Sequence, residues 1–227
     1  NELLIVDSVP DRIVAVDLSD RTARVIQNPQ TKDYLFNIVN NIYQDSNNNI
    51  YLTNGFSHTV QLFTENWVLI SEWGGNGSDN GQFNNPSGVT TDRFGRIFIA
   101  DQENHRIQVF DSNGNFEYTF GSYGSGNGQF KYPSGLVIGT NDFIYVVDHG
   151  NSRIQKFNLN GGYQSQWGSL GTANSQFDSP IDIALDDSNK WYVTDSLNDR
   201  IQVFDQNGKF LRKWGGLGDC EGCFWRP

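Results

Sequence analysis

The 227-residue chain lacks methionine altogether, even at position 1, and holds only two cysteines, six prolines and three histidines. The missing methionine suggests a processed or excised part of something longer. Basic residues are scarce. Sixteen Lys and Arg against 26 Asp and Glu leave a net charge of -10 and a sequence pI near 4.6. Such a surface repels phosphate backbones, which argues against a nucleic-acid partner. No run approaches the roughly 18 apolar residues of a membrane span, and no signal-peptide pattern is visible. Nor does any stretch carry the 3.6-residue period of an amphipathic helix. What is abundant is glycine, 24 residues, and aromatic side chains, 14%. That composition fits a turn-rich, strand-rich protein rather than a disordered one.

Self-similarity organises the chain. Pro86, Pro133, Pro180 and Pro227 stand 47 residues apart, as do Asp7, Asn54, Asp101, Asp148 and Asp195. Arg106, Arg153 and Arg200 keep the same step, with Arg12 in frame two units earlier. Trp73, Phe120, Trp167 and Trp214 form another series, each followed by Gly. Within the unit that opens at Pro86, four runs rich in β-branched and aromatic residues read as strands. They cover Gly88–Asp92, Arg96–Asp101, Arg106–Asp111 and Phe116–Gly121, and the last two are joined by an Asn-Gly hairpin signal. A 47-residue repeat of four antiparallel strands is the pattern of a β-propeller blade, so the fold class expected is all-β. The frame divides the chain into a partial blade at 1–38 and blades at 39–85, 86–132, 133–179 and 180–226. The first unit has its Asp7 and Arg12 strands but no strand before them, an exposed edge that something must complete.

Gly81-Gln82-Phe83-Asn84-Asn85-Pro86 and Asp101-Gln102-Glu103-Asn104-His105-Arg106-Ile107-Gln108-Val109-Phe110 resemble the NHL repeat. The pattern recurs over Asp148–Phe157 and Asp195–Phe204, and weakens before residue 74, where Val39, Asn54 and Thr59 replace the Pro, Asp and Arg. The resemblance implies a β-propeller, most often six-bladed, closed by sequence beyond one end of this chain. Its enzymes supply tests for chemistry. Amidating lyases with NHL-like repeats carry three His ligands just after the Pro that opens each blade, and the matching positions here hold Asn40, Ser87, Ser134 and Ile181. Propeller lactonases hold a cation with Glu, Asn and Asp, of which Asn40, Asn41 and Asp182 are an echo, so calcium in the channel is the cofactor alternative to none.

The other candidates read as structural. Asp101 with Arg106, Asp148 with Arg153 and Asp195 with Arg200 are placed to pin the turn between second and third strands, or to reach the next blade. His58, His105 and His149 fall in those turns on separate blades, as surface histidines rather than a zinc cluster. The Gly-rich stretches lack the helix or Lys of a phosphate cradle and read as inter-blade loops, and the Asp-x-Asn-Gly turns at Asp111 and Asp205 read as hairpins. Cys220 and Cys223 read either as a local disulfide of an oxidising compartment or as two bystander thiols.

What varies between blades points to partners. Tyr123, Lys131, Tyr132, Trp225 and Arg226 fall on the inter-blade loops, and aromatics beside Arg are hot-spot chemistry. The expectation is a non-enzymatic binding or scaffolding module that recognises a protein or glycan through this loop face, in an extracellular, secreted or cell-surface setting. The alternatives are a metal-dependent propeller enzyme, lactonase-like or amidating-lyase-like, and an RNA-binding NHL domain, which the acidic charge disfavours.

Overall fold

The structure, a computed structural model, describes residues 2–8, 11–17, 19, 22–27, 38–218, 222–224 and 226–227. It is built of five antiparallel sheets in chain order. The first has three strands, β1 (Glu2–Ser8), β2 (Asp11–Asp17) and β3 (Ala23–Ile26). The second runs β4 (Val39–Gln44), β5 (Ile50–Asn54), β6 (Thr59–Phe63), β7 (Leu69–Gly74). The third runs β8 (Pro86–Thr91), β9 (Ile97–Asp101), β10 (Arg106–Phe110), β11 (Phe116–Phe120). The fourth is β12 (Pro133–Ile138), β13 (Phe143–Asp148), β14 (Arg153–Asn158), β15 (Tyr163–Trp167). The fifth is β16 (Pro180–Leu185), β17 (Trp191–Asp195), β18 (Arg200–Phe204), β19 (Phe210–Gly215).

Strand bounds sit within two residues of those expected for the Pro86 unit. Among the described residues the first sheet holds three strands, and β1 pairs with β2 through Asp7↔Arg12, the register that Asp148↔Arg153 and Asp195↔Arg200 keep between the second and third strands of later blades. Helix is confined, among the described residues, to three single 3-10 turns after β9, β13 and β17.

The chain clusters into two compact units, Asn1–Glu103 with Gln108–Tyr118, and Asn104–Ile107 with Thr119–Pro227. In the first unit, Ile50 and Leu52 of β5 join Ile13, Ala15 and Ile26 of the preceding sheet, while Tyr51 joins Val89, Ile97 and Ile99 of the following one. Alternate side chains of one strand thus pack on opposite neighbours, so every residue of β5 and β9 is buried. Strands covered on both faces read as unbroken apolar runs for this reason. In the second unit Tyr145, Val147 and Ile154 pack with Ile183, Trp191 and Val193 in the same way.

The aromatics that end blades two, three and four, Trp73, Phe120 and Trp167, each pack over the hairpin glycine of the next blade. Gly208, at φ +77° in the β18–β19 turn, lies under Trp167, and a Cβ there would come 3.2 Å from the indole. Gly168 then turns the chain at φ +96°, where a Cβ would lie 2.5 Å from the fully buried Phe177 ring. Trp-Gly followed by a loop Phe is therefore a packing unit in which glycine supplies both the positive φ and the clearance.

Candidate functional site

The repeated acid-base pair is the centre of a buried network. Asp148 accepts Arg153 Nε at 2.7 Å, Gln155 Nε2 at 3.0 Å, Asn151 Nδ2 at 2.9 Å and the Lys131 backbone N–H at 2.8 Å. Arg153 donates onward to the carbonyls of Gly126 and Gln129 at 2.8 and 3.0 Å. Blade five repeats this: Asp195 binds Arg200 at 2.6 Å, and Arg200 reaches Ala173 and Gln176 carbonyls at 2.9 and 2.8 Å. Both carboxylates are wholly shielded from solvent. The pair thus ties the turn between second and third strands to the loop that enters the same blade. In the third blade Asp101 accepts the Asn84 N–H at 2.8 Å and Gln108 Nε2 at 3.0 Å. The glutamine two residues after each arginine is the partner that sequence reasoning left without a role. Its amide closes the loop from both sides, donating to Gln129 O at 2.7 Å and accepting from Gly128 N at 3.0 Å in the case of Gln155.

The histidines do more than sit on the surface. His58 Nδ1 accepts the Asn85 N–H at 2.9 Å, and His105 Nδ1 accepts the Tyr132 N–H at 3.1 Å. A backbone N–H can only donate, so these rings are held as the tautomer with a bare Nδ1. His149 Nδ1 lies 3.0 Å from Pro180 O. In the last blade Asp199 takes over, accepting the Arg226 N–H at 2.9 Å. The His58, His105 and Asp199 bonds hold Asn85, Tyr132 and Arg226, each the residue before a proline of the repeat, at positive φ, 57°, 54° and 47°. Among the described residues, no three or more His, Cys, Asp or Glu gather as for a metal ion.

Of the loop-face candidates, Tyr123, Lys131 and Tyr132 come together. The His105 ring lies 4.9 Å from Tyr123 and 4.7 Å from Tyr132, and Lys131 Nζ stands 5.9 Å above Tyr123. Tyr123 is 62% exposed and Tyr132 40%. Tyr123, Leu170 and Leu217 occupy equivalent positions in successive loops, each bridged to the loop Phe seven residues on, and both leucines are exposed by two thirds. Arg226 is exposed and Trp225 lies outside the described residues. Cys223 is disulfide-bonded in a chain with two cysteines, while Cys220 lies outside the described residues.

The first strands carry the channel candidates. In the first unit, Asn40 Nδ2 donates to Asn85 Oδ1 at 2.8 Å and to Pro86 O at 2.9 Å, so its amide already bridges β4 to the next blade. Asn41 follows it on β4. In the second unit, Asp182 on β16 presses its carboxylate against the backbone of Gly135 on β12, in space that any Cβ there would fill. Ser134 Oγ donates to Ile181 O at 2.6 Å beside it. Desolvation pushes the Asp182 pKa up to about 6, against the opposing pull of the Ile183 N–H. It has no cationic partner among the described residues. A carboxyl of this kind can carry a proton near neutrality.

Residues 76–178 match the sequence profile of a family described as a 6-bladed beta-propeller. No curated protein matches the chain. Among solved structures, a protein of unknown function from Bacteroides thetaiotaomicron is 16% identical, covered over 60% of its length by all of this chain, with a TM-score of 0.72. A gluconolactonase from Xanthomonas campestris is 15% identical over 92% of this chain and 70% of its own, with a TM-score of 0.69. A streptogramin B lyase is 15% identical over 94% of this chain, with a TM-score of 0.67, and this chain spans 65% of its length. Identities this low carry the fold and no further. The chain is a β-propeller, and the matched family has the six blades that the repeat resemblance implied.

Proposed function

We propose that this propeller, with blades of the NHL type, is a non-enzymatic binding or scaffolding module whose loop face in the second unit recognises a protein or glycan. The observation that carries this reading is the cluster of Tyr123, His105 and Tyr132 beside Lys131, with both tyrosines exposed and with Leu170 and Leu217 exposed at the positions equivalent to Tyr123 in the next two loops. Rigid aromatics with a polar edge bind at small entropic cost. The disulfide at Cys223 supports an oxidising, extracellular or cell-surface setting. The net charge of -10 speaks against nucleic acid.

The test is a labelled-protein screen against glycan and purified ectodomain arrays, run for the wild type and for Tyr123→Ala with Tyr132→Ala. Hits that disappear with the double variant support the reading, and hits indifferent to it refute the site. A second reading, a metal-dependent propeller enzyme, is favoured by Asp182 with its raised pKa and by the lyase and lactonase among the structural neighbours. Cation-dependent lactone hydrolysis abolished by Asp182→Asn would establish it in place of the first.

A further inference from the structure

One residue breaks the repeat inside the sheet. The middle position of the third strand holds Ala15, Leu62, Val109 and Val203 in four blades, all buried. In the fourth blade it is Lys156. Its neighbours are not unusual: Lys156 pairs with Tyr145 on one side and Ser165 on the other, just as Leu62 pairs with Tyr51 and Ser71. Within this row of three paired residues only the middle one differs between blades two and four, and it brings a charge to a position that is apolar in the other blades.

The ammonium lies 4.0 Å from the Phe143 ring centroid and 5.6 Å from that of Tyr145. Among the described residues no carboxylate lies within ion-pair distance of it. Cation–π contact recovers only part of what an ammonium loses on leaving water. Beside it opens a cavity of about 270 Å³ between blades four and five, lined by Lys156, Ser165, Gln166 and Trp167 from one blade and by Gln206 and Asn207 from the hairpin of the next. This volume lies just below the usual range of small-molecule pockets. The lining offers an uncompensated cation, an indole and several planar amides.

We infer that this cavity binds a monosaccharide-sized sugar acid, independently of the loop face. The carboxylate of such a ligand pairs with Lys156, a sugar ring lies along Trp167, and hydroxyls meet the amides of Gln166 and Asn207. A neutral sugar would leave the ammonium unpaired, and a bare carboxylate would leave the indole and amides unused.

Calorimetric titration with sodium glucuronate as the probe tests this, with glucose and acetate as comparators, on wild type and on Lys156→Leu, which restores the residue of blade two. The expected result is saturable one-site binding of glucuronate, with glucose and acetate weaker by about tenfold or more. Lys156→Leu is expected to lose about tenfold, the worth of one charge-assisted contact, while its thermal midpoint is unchanged or raised. Absence of glucuronate binding, acetate binding equal to glucuronate, or unchanged affinity in Lys156→Leu would overturn it. Should that variant fail to fold, amide and indole NMR shifts of the wild type with glucuronate decide. Shifts at Ser165, Trp167 and Asn207 support the site, and shifts confined elsewhere refute it.

Discussion

Blades two and four meet the same geometric problem with different chemistry. In blade four the turn after the second strand is held by Asp148, wholly shielded and bound by Arg153, Gln155 and Asn151. In blade two Asn54 stands there, and its Oδ1 accepts the backbone N–H groups of Phe56 and Ser57 at 3.0 and 2.9 Å, closing a local turn. Where blade four has Arg153, blade two has Thr59, whose hydroxyl meets Ser57 at 2.7 Å, and Gln61 turns outward to Glu72 at 2.6 Å. Both blades still form four strands in the same order. The ionic network is therefore not what makes a blade. It fastens the entering loop, in blade four the loop that carries the exposed Tyr123 and Tyr132.

The largest expected effect comes from cutting this network. Asp148→Ala leaves the Arg153 guanidinium buried without its carboxylate, a loss of about 3–5 kcal/mol by urea denaturation. Asn54→Ala in blade two, which removes a neutral turn, should cost only about 1 kcal/mol. Equal losses would erase the distinction between the two blades. Phe177→Ala empties the ring slot under Gly168 and should cost about 3–5 kcal/mol, independent of salt, whereas the Asp148 effect reports a charge.

A smaller effect sharpens a second contrast, that between Asp182 and the glycine facing it. The folded-state pKa of Asp182 is raised, so the fold prefers the protonated form. Its contribution is fully present below the unfolded value near 4 and is lost as pH rises through about 6. Stability of the wild type should fall by about 3 kcal/mol across that window, and Asp182→Asn should flatten the profile. A pH profile unchanged by the substitution would mean that the carboxyl is better hydrated than its setting on β16 indicates. Smallest of all, Tyr123→Ala should change stability by less than about 0.5 kcal/mol, because the ring is largely exposed, so any loss of binding reads as recognition.

Much of the architecture was legible in the residues. The 47-residue step, the Asn-Gly hairpins and the apolar runs fix strand number and order because each is a local property of backbone and turn chemistry. The site was legible in part. Tyr123, Lys131 and Tyr132 were picked out as loop-face residues, but His105 as the ring between the two tyrosines was not, since it stands 18 and 27 residues from them. Lys156 breaks the repeat in the sequence, but a single charged residue on a strand carries no local sign that it borders a cavity.

By itself the sequence determined the blade: its period, its four strands and its hairpins, all set by alternation and turn residues that act over a few positions. Only the tertiary structure decided what each polar side chain does. Whether Gln155 closes a loop, His105 accepts an N–H or Lys156 opens onto a cavity depends on which carbonyl, ring or hairpin the packing of neighbouring sheets brings within a few ångströms, and that proximity has no period in the chain.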